Sequence, residues 1–136
     1  MIYLDSSALL KLLFLEPETV GLRHWVLERK ESTLTSSELA KVEVLRGCRR
    51  IDATVLPAAR GLLSGINLIP LSGRVIDEAG ALGEPLLRSL DALHLASALS
   101  VANELTAFVA YDRRLVAAAP GTERPGRPRR WGARRS

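Results

Sequence analysis

Two short apolar runs near opposite ends of the chain, Ile2-Tyr3-Leu4 and residues 107–111 (AFVAY), have no polar face, and an aspartate follows each, Asp5 and Asp112. A strand wetted on one side alternates apolar with polar residues, whereas a continuously apolar strand belongs in a parallel sheet covered on both faces. Between the two runs, strand-like and helix-like segments alternate. The spacing predicts a helix after Asp5 running through Leu15 and another from about Glu18 to Lys30, with Pro17 at its start, where a missing N–H costs little. A short strand follows at Thr33–Thr35, then a helix capped by Ser36 or Ser37 and reaching about Arg50. Further helices are predicted over Ala53–Leu63, Val75–Leu82 and Ser89–Asn103, a strand over Ile66–Leu71, and a short last helix after Asp112. Repeated alternation with short connections predicts an α/β fold on a mainly parallel sheet.

A chain of 136 residues, 47% hydrophobic and 25% charged, is long enough to bury one core and too apolar to be wholly disordered. The single cysteine, Cys48, forms no internal disulfide, which suits a reducing cytosol. No secretory signal opens the chain, and no apolar run approaches the roughly 18 residues that span a bilayer; the run ending at Leu15 is broken by Lys11. A cytoplasmic protein with no membrane partner is expected. The net charge of +4 is misleading about the body of the protein. Residues 120–136 hold six arginines and one acid, Glu123, for a net +5, which leaves −1 for the remainder. That Arg/Pro/Gly-rich segment has neither helical nor strand periodicity, so the expected organisation is one domain over residues 1–119 and a flexible tail over 120–136.

In open α/β sheets, ligands bind outside the carboxyl ends of the strands, where Asp5 and Asp112 are both predicted to lie. Each is also a natural helix N-cap. Two helical acids add to the pattern. In SSELAKVEVLRG, Glu43 lies next to Val42 and Val44 and one turn from Leu39, while Glu38 and Lys41 take the wetter side. In RSLDALHLASAL, Asp91 shares a face with Leu87, Leu95 and Ala98. A carboxylate on a core-facing stripe is costly unless it is paired or holds a metal. Asp91 has the alternative of capping its helix; Glu43 is mid-helix and has only an ion pair with Arg46 or Arg50 as its alternative. Four acids sharing a site repel one another unless a divalent cation neutralises them, and oxygen-only ligands suit Mg²⁺ or Mn²⁺. The matching chemistry is metal-assisted phosphodiester hydrolysis. No Gly-rich phosphate loop, G-x-S-x-G or zinc-spaced Cys/His group competes with it.

Four stretches in order, MIYLDSSALLKL, SSELAKVEVLRG, LRSLDALHLASAL and AYDRRLVAAA, resemble the PIN domain family, and within it the VapC-type toxin ribonucleases of bacterial toxin–antitoxin pairs. The resemblance spans residues 1 to about 119. It implies a three-layer α/β/α fold with about four strands, and a toxin that acts as a Mg²⁺-dependent (or Mn²⁺-dependent) endoribonuclease leaving a 5′-phosphate and a 3′-hydroxyl. The implied catalytic and metal-binding residues are Asp5, Glu43, Asp91 and Asp112, with Asp5 and Asp91 the most direct ligands. Ser7 falls where the family keeps a small polar residue that supports the site by hydrogen bonding, and Ser6 is expected only to start its helix. The resemblance also implies a homodimer and a co-expressed antitoxin that places a basic side chain among the acids. The leucine-rich segments Leu9–Leu15 and Val20–Leu27 serve such a partner or pack the core. One departure stands out: the short apolar strand that usually closes the family's domain is missing, and Arg-rich sequence takes its place.

Other residues carry weaker signals. His94, one turn past Asp91, is expected to be a structural histidine rather than a substrate contact, and Trp25 a packing residue. Arg113, Arg114 and Trp131 offer phosphate or base contacts, or merely a solvated surface. A phosphatase of the haloacid dehalogenase kind is excluded because position 7, where it needs a second aspartate, is serine. The remaining alternative is a catalytically weak or inactive PIN-fold protein that acts through antitoxin or RNA binding.

Overall fold

In the computed structural model, which describes residues 1–118 and 122–123, the chain runs β1 (Ile2–Leu4), α1 (Ser6–Leu13), α2 (Thr19–Leu27), β2 (Leu34–Ser37) and α3 (Glu38–Ile51). A 3-10 turn (Ala53–Val55) leads into α4 (Leu56–Ser64), then β3 (Asn67–Ile69), α5 (Gly73–Ala81), α6 (Ser89–Ser100), β4 (Ala107–Val109), α7 (Arg113–Ala118) and β5 (Thr122–Glu123). Helix starts fall where side chains can satisfy the first free N–H groups. Asp5 accepts from the Ala8 amide, Ser37 from Leu39 and Ser72 from Val75.

All neighbouring strands pair in parallel, in the order β3-β2-β1-β4-β5. The first strand is therefore central. Its period-two alternation sends Ile2 and Leu4 to one face and Tyr3 to the other, and β4 repeats this with Ala107 and Val109 against Phe108. On the first face Leu9, Leu22, Val44 and Leu63 from α1–α4 form the core; on the second, Leu95 and Leu115 from α6 and α7 do so. The expected three-layer α/β/α architecture is present. Strand β2 departs from the apolar rule: Thr35, Ser36 and Ser37 are buried, and the Thr35 hydroxyl donates to the Asn67 carbonyl at 2.7 Å.

The expectation of no closing strand needs correction. Thr122 and Glu123 pair with Phe108 and Val109 beside β4, because backbone hydrogen bonding along a free strand edge makes no demand on side-chain type. The rest of the expected flexible tail over 120–136, including Trp131, lies outside the described residues, as do the side chains of Arg113 and Arg114. Trp25 is buried as expected, with the Arg29 guanidinium 4.1 Å above its ring centre.

Helix α3 meets α1 closely at Gly47, where an added Cβ would lie 3.1 Å from Leu10 Cδ2. Gly47→Val is therefore expected to lower stability by about 1–3 kcal/mol through overpacking, measured by urea denaturation.

Candidate active site

The chain reverses direction across the sheet between β1 and β4. From β1 it proceeds outward through β2 to β3, and it then returns to β4 on β1's other side. A crevice forms at such a switch point, beyond the carboxyl ends of the two strands. Asp5 follows β1 directly, its amide donating to the Val109 carbonyl at 3.1 Å. Asp112 follows β4 and begins α7, its Oδ1 accepting from the Leu115 amide at 3.0 Å. Both are caps as well as strand-end acids, so the two readings of these residues coexist.

Asp5 is 4% exposed. Its Oδ1 accepts from the Ser7 hydroxyl at 2.6 Å and from the Ala8 amide at 2.9 Å. The Ser7 oxygen in turn accepts from the Tyr111 amide at 2.9 Å, tying the start of α1 to the end of β4. The second oxygen of Asp5 accepts no hydrogen bond from any described residue. Burial pushes this carboxyl up to about 6, against the opposing pull of His94, Ser7 and Ala8, and repulsion from Glu43 adds to the rise.

Glu43 is half-buried on α3 and pairs with neither Arg46 nor Arg50. Its Oε1 instead accepts from the Ser6 hydroxyl at 2.7 Å and lies 2.6 Å from His94 Nε2. Burial alone would raise its pKa, yet the bonds from His94 and Ser6 outweigh burial and hold it below the usual glutamate range. Ser6 thus does more than start α1. His94 is 2% exposed and bonds side chains, as its structural reading required: Nδ1 meets the Tyr3 hydroxyl at 2.7 Å. Its three-residue offset from Asp91 was the only sequence signal for this network.

Asp91 sits in the first turn of α6, but Arg88 is the cap residue and Asp91 makes no capping hydrogen bond. Leu87, expected on the same helical face, precedes the helix. Burial raises the Asp91 pKa, and the charges on Asp112 and Glu43 raise it further. Repulsion therefore links Asp5 to Glu43, Glu43 to Asp91, and Asp91 to Asp112. Among the described residues no three of the His, Cys, Asp and Glu side chains converge closely enough to grip an ion as they stand. The donor set itself fits a hard divalent cation. It is all oxygen, it is mutually repelling, and it includes carboxylate oxygens of Asp5, Glu43 and Asp91 that no described donor satisfies. Among the described residues no helix is long and apolar enough to cross a membrane.

Comparison with known proteins bears on the family and the fold. The chain is 44% identical to Ribonuclease VapC47 of Mycobacterium tuberculosis (strain CDC 1551 / Oshkosh), across 91% of this chain and the whole of that protein. It is 40% identical to Ribonuclease VapC35 of the same strain, across 88% of this chain and 90% of that one. Among solved structures, a toxin–antitoxin complex from Klebsiella pneumoniae superposes with a TM-score of 0.74 at 23% identity, covering 92% of this chain and 98% of that one. M. tuberculosis VapC20, a toxin that cleaves the sarcin–ricin loop, superposes with a TM-score of 0.70 at 15% identity, covering 87% and 95%. The PIN domain family model matches residues 2–120. With four acids around the β1/β4 switch point and VapC ribonucleases as its relatives, the chain belongs to the PIN domain family.

Proposed function

We propose that this protein is the toxin of a type II toxin–antitoxin pair, an endoribonuclease that hydrolyses RNA phosphodiester bonds with Mg²⁺, or Mn²⁺ in its place. The observation that carries the reading is the placement of Asp5 and Asp112 just beyond the carboxyl ends of β1 and β4, with Glu43 bonded to Ser6 next to Asp5, in a relative of VapC ribonucleases. Acids crowded into one crevice at the expense of stability belong to a site that binds a cation.

Asp5, Glu43, Asp91 and Asp112 would hold the cation, with Asp5 and Asp91 closest. When bound, a divalent cation supplies charge for the phosphate oxygens and lowers the pKa of the attacking water. Ser7 keeps Asp5 Oδ1 engaged, leaving the other oxygen for the cation. The backbone at Tyr111 fixes Ser7 in turn, so the carboxylate does not rotate. A cognate antitoxin is the expected partner. Leu15, Val20 and Leu27, exposed on or beside α1 and α2, are the surface we assign to it, and a homodimer in the cytoplasm is the expected resting form.

The test is to incubate the purified protein with a mixed cellular RNA pool in Mg²⁺, in Mn²⁺ and in EDTA. Discrete fragments are expected with either metal and none in EDTA. Intact RNA under every condition, from protein that is folded by circular dichroism, would sink the enzymatic reading in favour of a PIN-fold binding protein.

A further inference from the structure

We propose that His94, backed by Tyr3, is a positioning residue: it fixes one oxygen of Glu43 so that the other is presented to a divalent cation. This rests on the metal-dependent reading above and adds a role to two residues outside the acidic set.

The hydrogen bond to Glu43 has a definite direction. An ionised Glu43 can only accept, so His94 Nε2 carries a proton towards Oε1 at 2.6 Å. The single Ser6 proton also goes to Oε1, which leaves the Ser6 oxygen to face Nε2 at 3.1 Å. On the other side of the ring, Nδ1 lies 2.7 Å from the Tyr3 hydroxyl. Whichever partner donates, this bond holds the ring with Nε2 aimed at Glu43.

Tyr3 is a fixed end for this chain. It is fully buried in the central strand and stacks on Phe108 with centroids 5.1 Å apart and planes 2° from parallel. The path then crosses from β1 to the buried His94 on α6 and ends at the half-buried Glu43 on α3. A glutamate side chain otherwise loses considerable rotamer freedom on being held in one pose. Here two donors remove that freedom in advance, at Oε1 alone, and no described donor reaches Oε2.

The experiment follows the thermal midpoint of the full-length protein against Mn²⁺ concentration, which reports cation affinity without any catalytic turnover. Wild type is compared with His94→Phe, His94→Gln, Tyr3→Phe and Glu43→Gln. Replacing a partner that orients a metal ligand typically costs about 10–100-fold in affinity, so His94→Phe should weaken Mn²⁺ binding about tenfold or more. His94→Gln keeps an N–H donor near the Nε2 position and should restore most of the affinity. Tyr3→Phe should weaken binding less than His94→Phe does. Unchanged affinity in both His94→Phe and Tyr3→Phe would overturn the proposal, even with a lower midpoint in EDTA, because a packing role predicts that pattern. Should His94→Phe not fold, Tyr3→Phe decides: weaker binding supports the proposal and wild-type binding overturns it. Loss of affinity in Glu43→Gln alone would remove His94's role and keep the acidic site. Wild-type binding by Glu43→Gln would overturn both.

Discussion

Asp91→Asn is expected to reduce metal-dependent RNA cleavage by at least about a hundredfold, since residues that merely orient a ligand already cost 10–100-fold and a direct ligand should cost no less. The substitution keeps the shape of the side chain and removes its charge. Asp91 makes no capping bond in α6, so losing the carboxylate should not unwind the helix. Repulsion from Asp112 and Glu43 is relieved at the same time, and the metal-free variant should unfold at or above the wild-type temperature. Single-turnover cleavage of the RNA pool, with thermal unfolding run in parallel, checks both halves. Equal cleavage by wild type and variant would remove Asp91 from the site.

The second large effect is on stability and has a defined pH course. In EDTA at pH 8, Asp5→Asn should be more stable than wild type by about 3 kcal/mol, an upper figure at about 1.36 kcal/mol per pKa unit. The Asp5 carboxyl has a folded value of about 6 against an ordinary 3.8, so the folded state holds its proton more tightly than the unfolded chain does. The resulting stabilisation is fully present below the ordinary value and is lost as pH rises through about 6. Asparagine has no such loss, and its Oδ1 can still accept from Ser7 and Ala8. The gap between the two proteins should therefore open above pH 4 and be complete by pH 8. Glu43, whose pKa is lowered, has the opposite course: its stabilisation is present above its ordinary value and is lost in acid. That loss falls in acid, below the range in which the Asp5 gap opens. Urea denaturation at several pH values measures the gap. A constant difference across the range would mean that Asp5 is not held at a raised pKa.

Much of the fold was legible because its signals are local. The apolar runs at Ile2–Leu4 and Ala107–Val109 read as buried strands, and Ser37 marks the start of α3 as a polar cap does. The order of the strands was not legible, because pairing of Ile2 with both Leu34 and Ala107 depends on contacts far apart in sequence. The two-residue β5 carries no apolar pattern and was missed for that reason. For the acids, helical and strand-end position was visible, but Glu43's partner was not. The expected cations, Arg46 and Arg50, are its sequence neighbours, while its actual partner, His94, is 51 residues away. Ser6 could be read only as a helix start, since nothing local reveals that its hydroxyl points across to α3.

The central place of β1 bears on how the protein is made. Asp5 is synthesised well before β4, yet its amide bonds Val109, and Ser7, which holds its carboxylate, is held in turn by Tyr111 across 104 residues of sequence. A nascent chain that has not yet delivered β4 from the ribosome has no second wall for the crevice and no anchor for Ser7. The acidic site is thus completed only after β4 has been synthesised, through the slow, long-range closure that parallel sheets require. Truncated translation products that stop before Val109 therefore carry the first acids without the framework that would make them dangerous to the RNA around them.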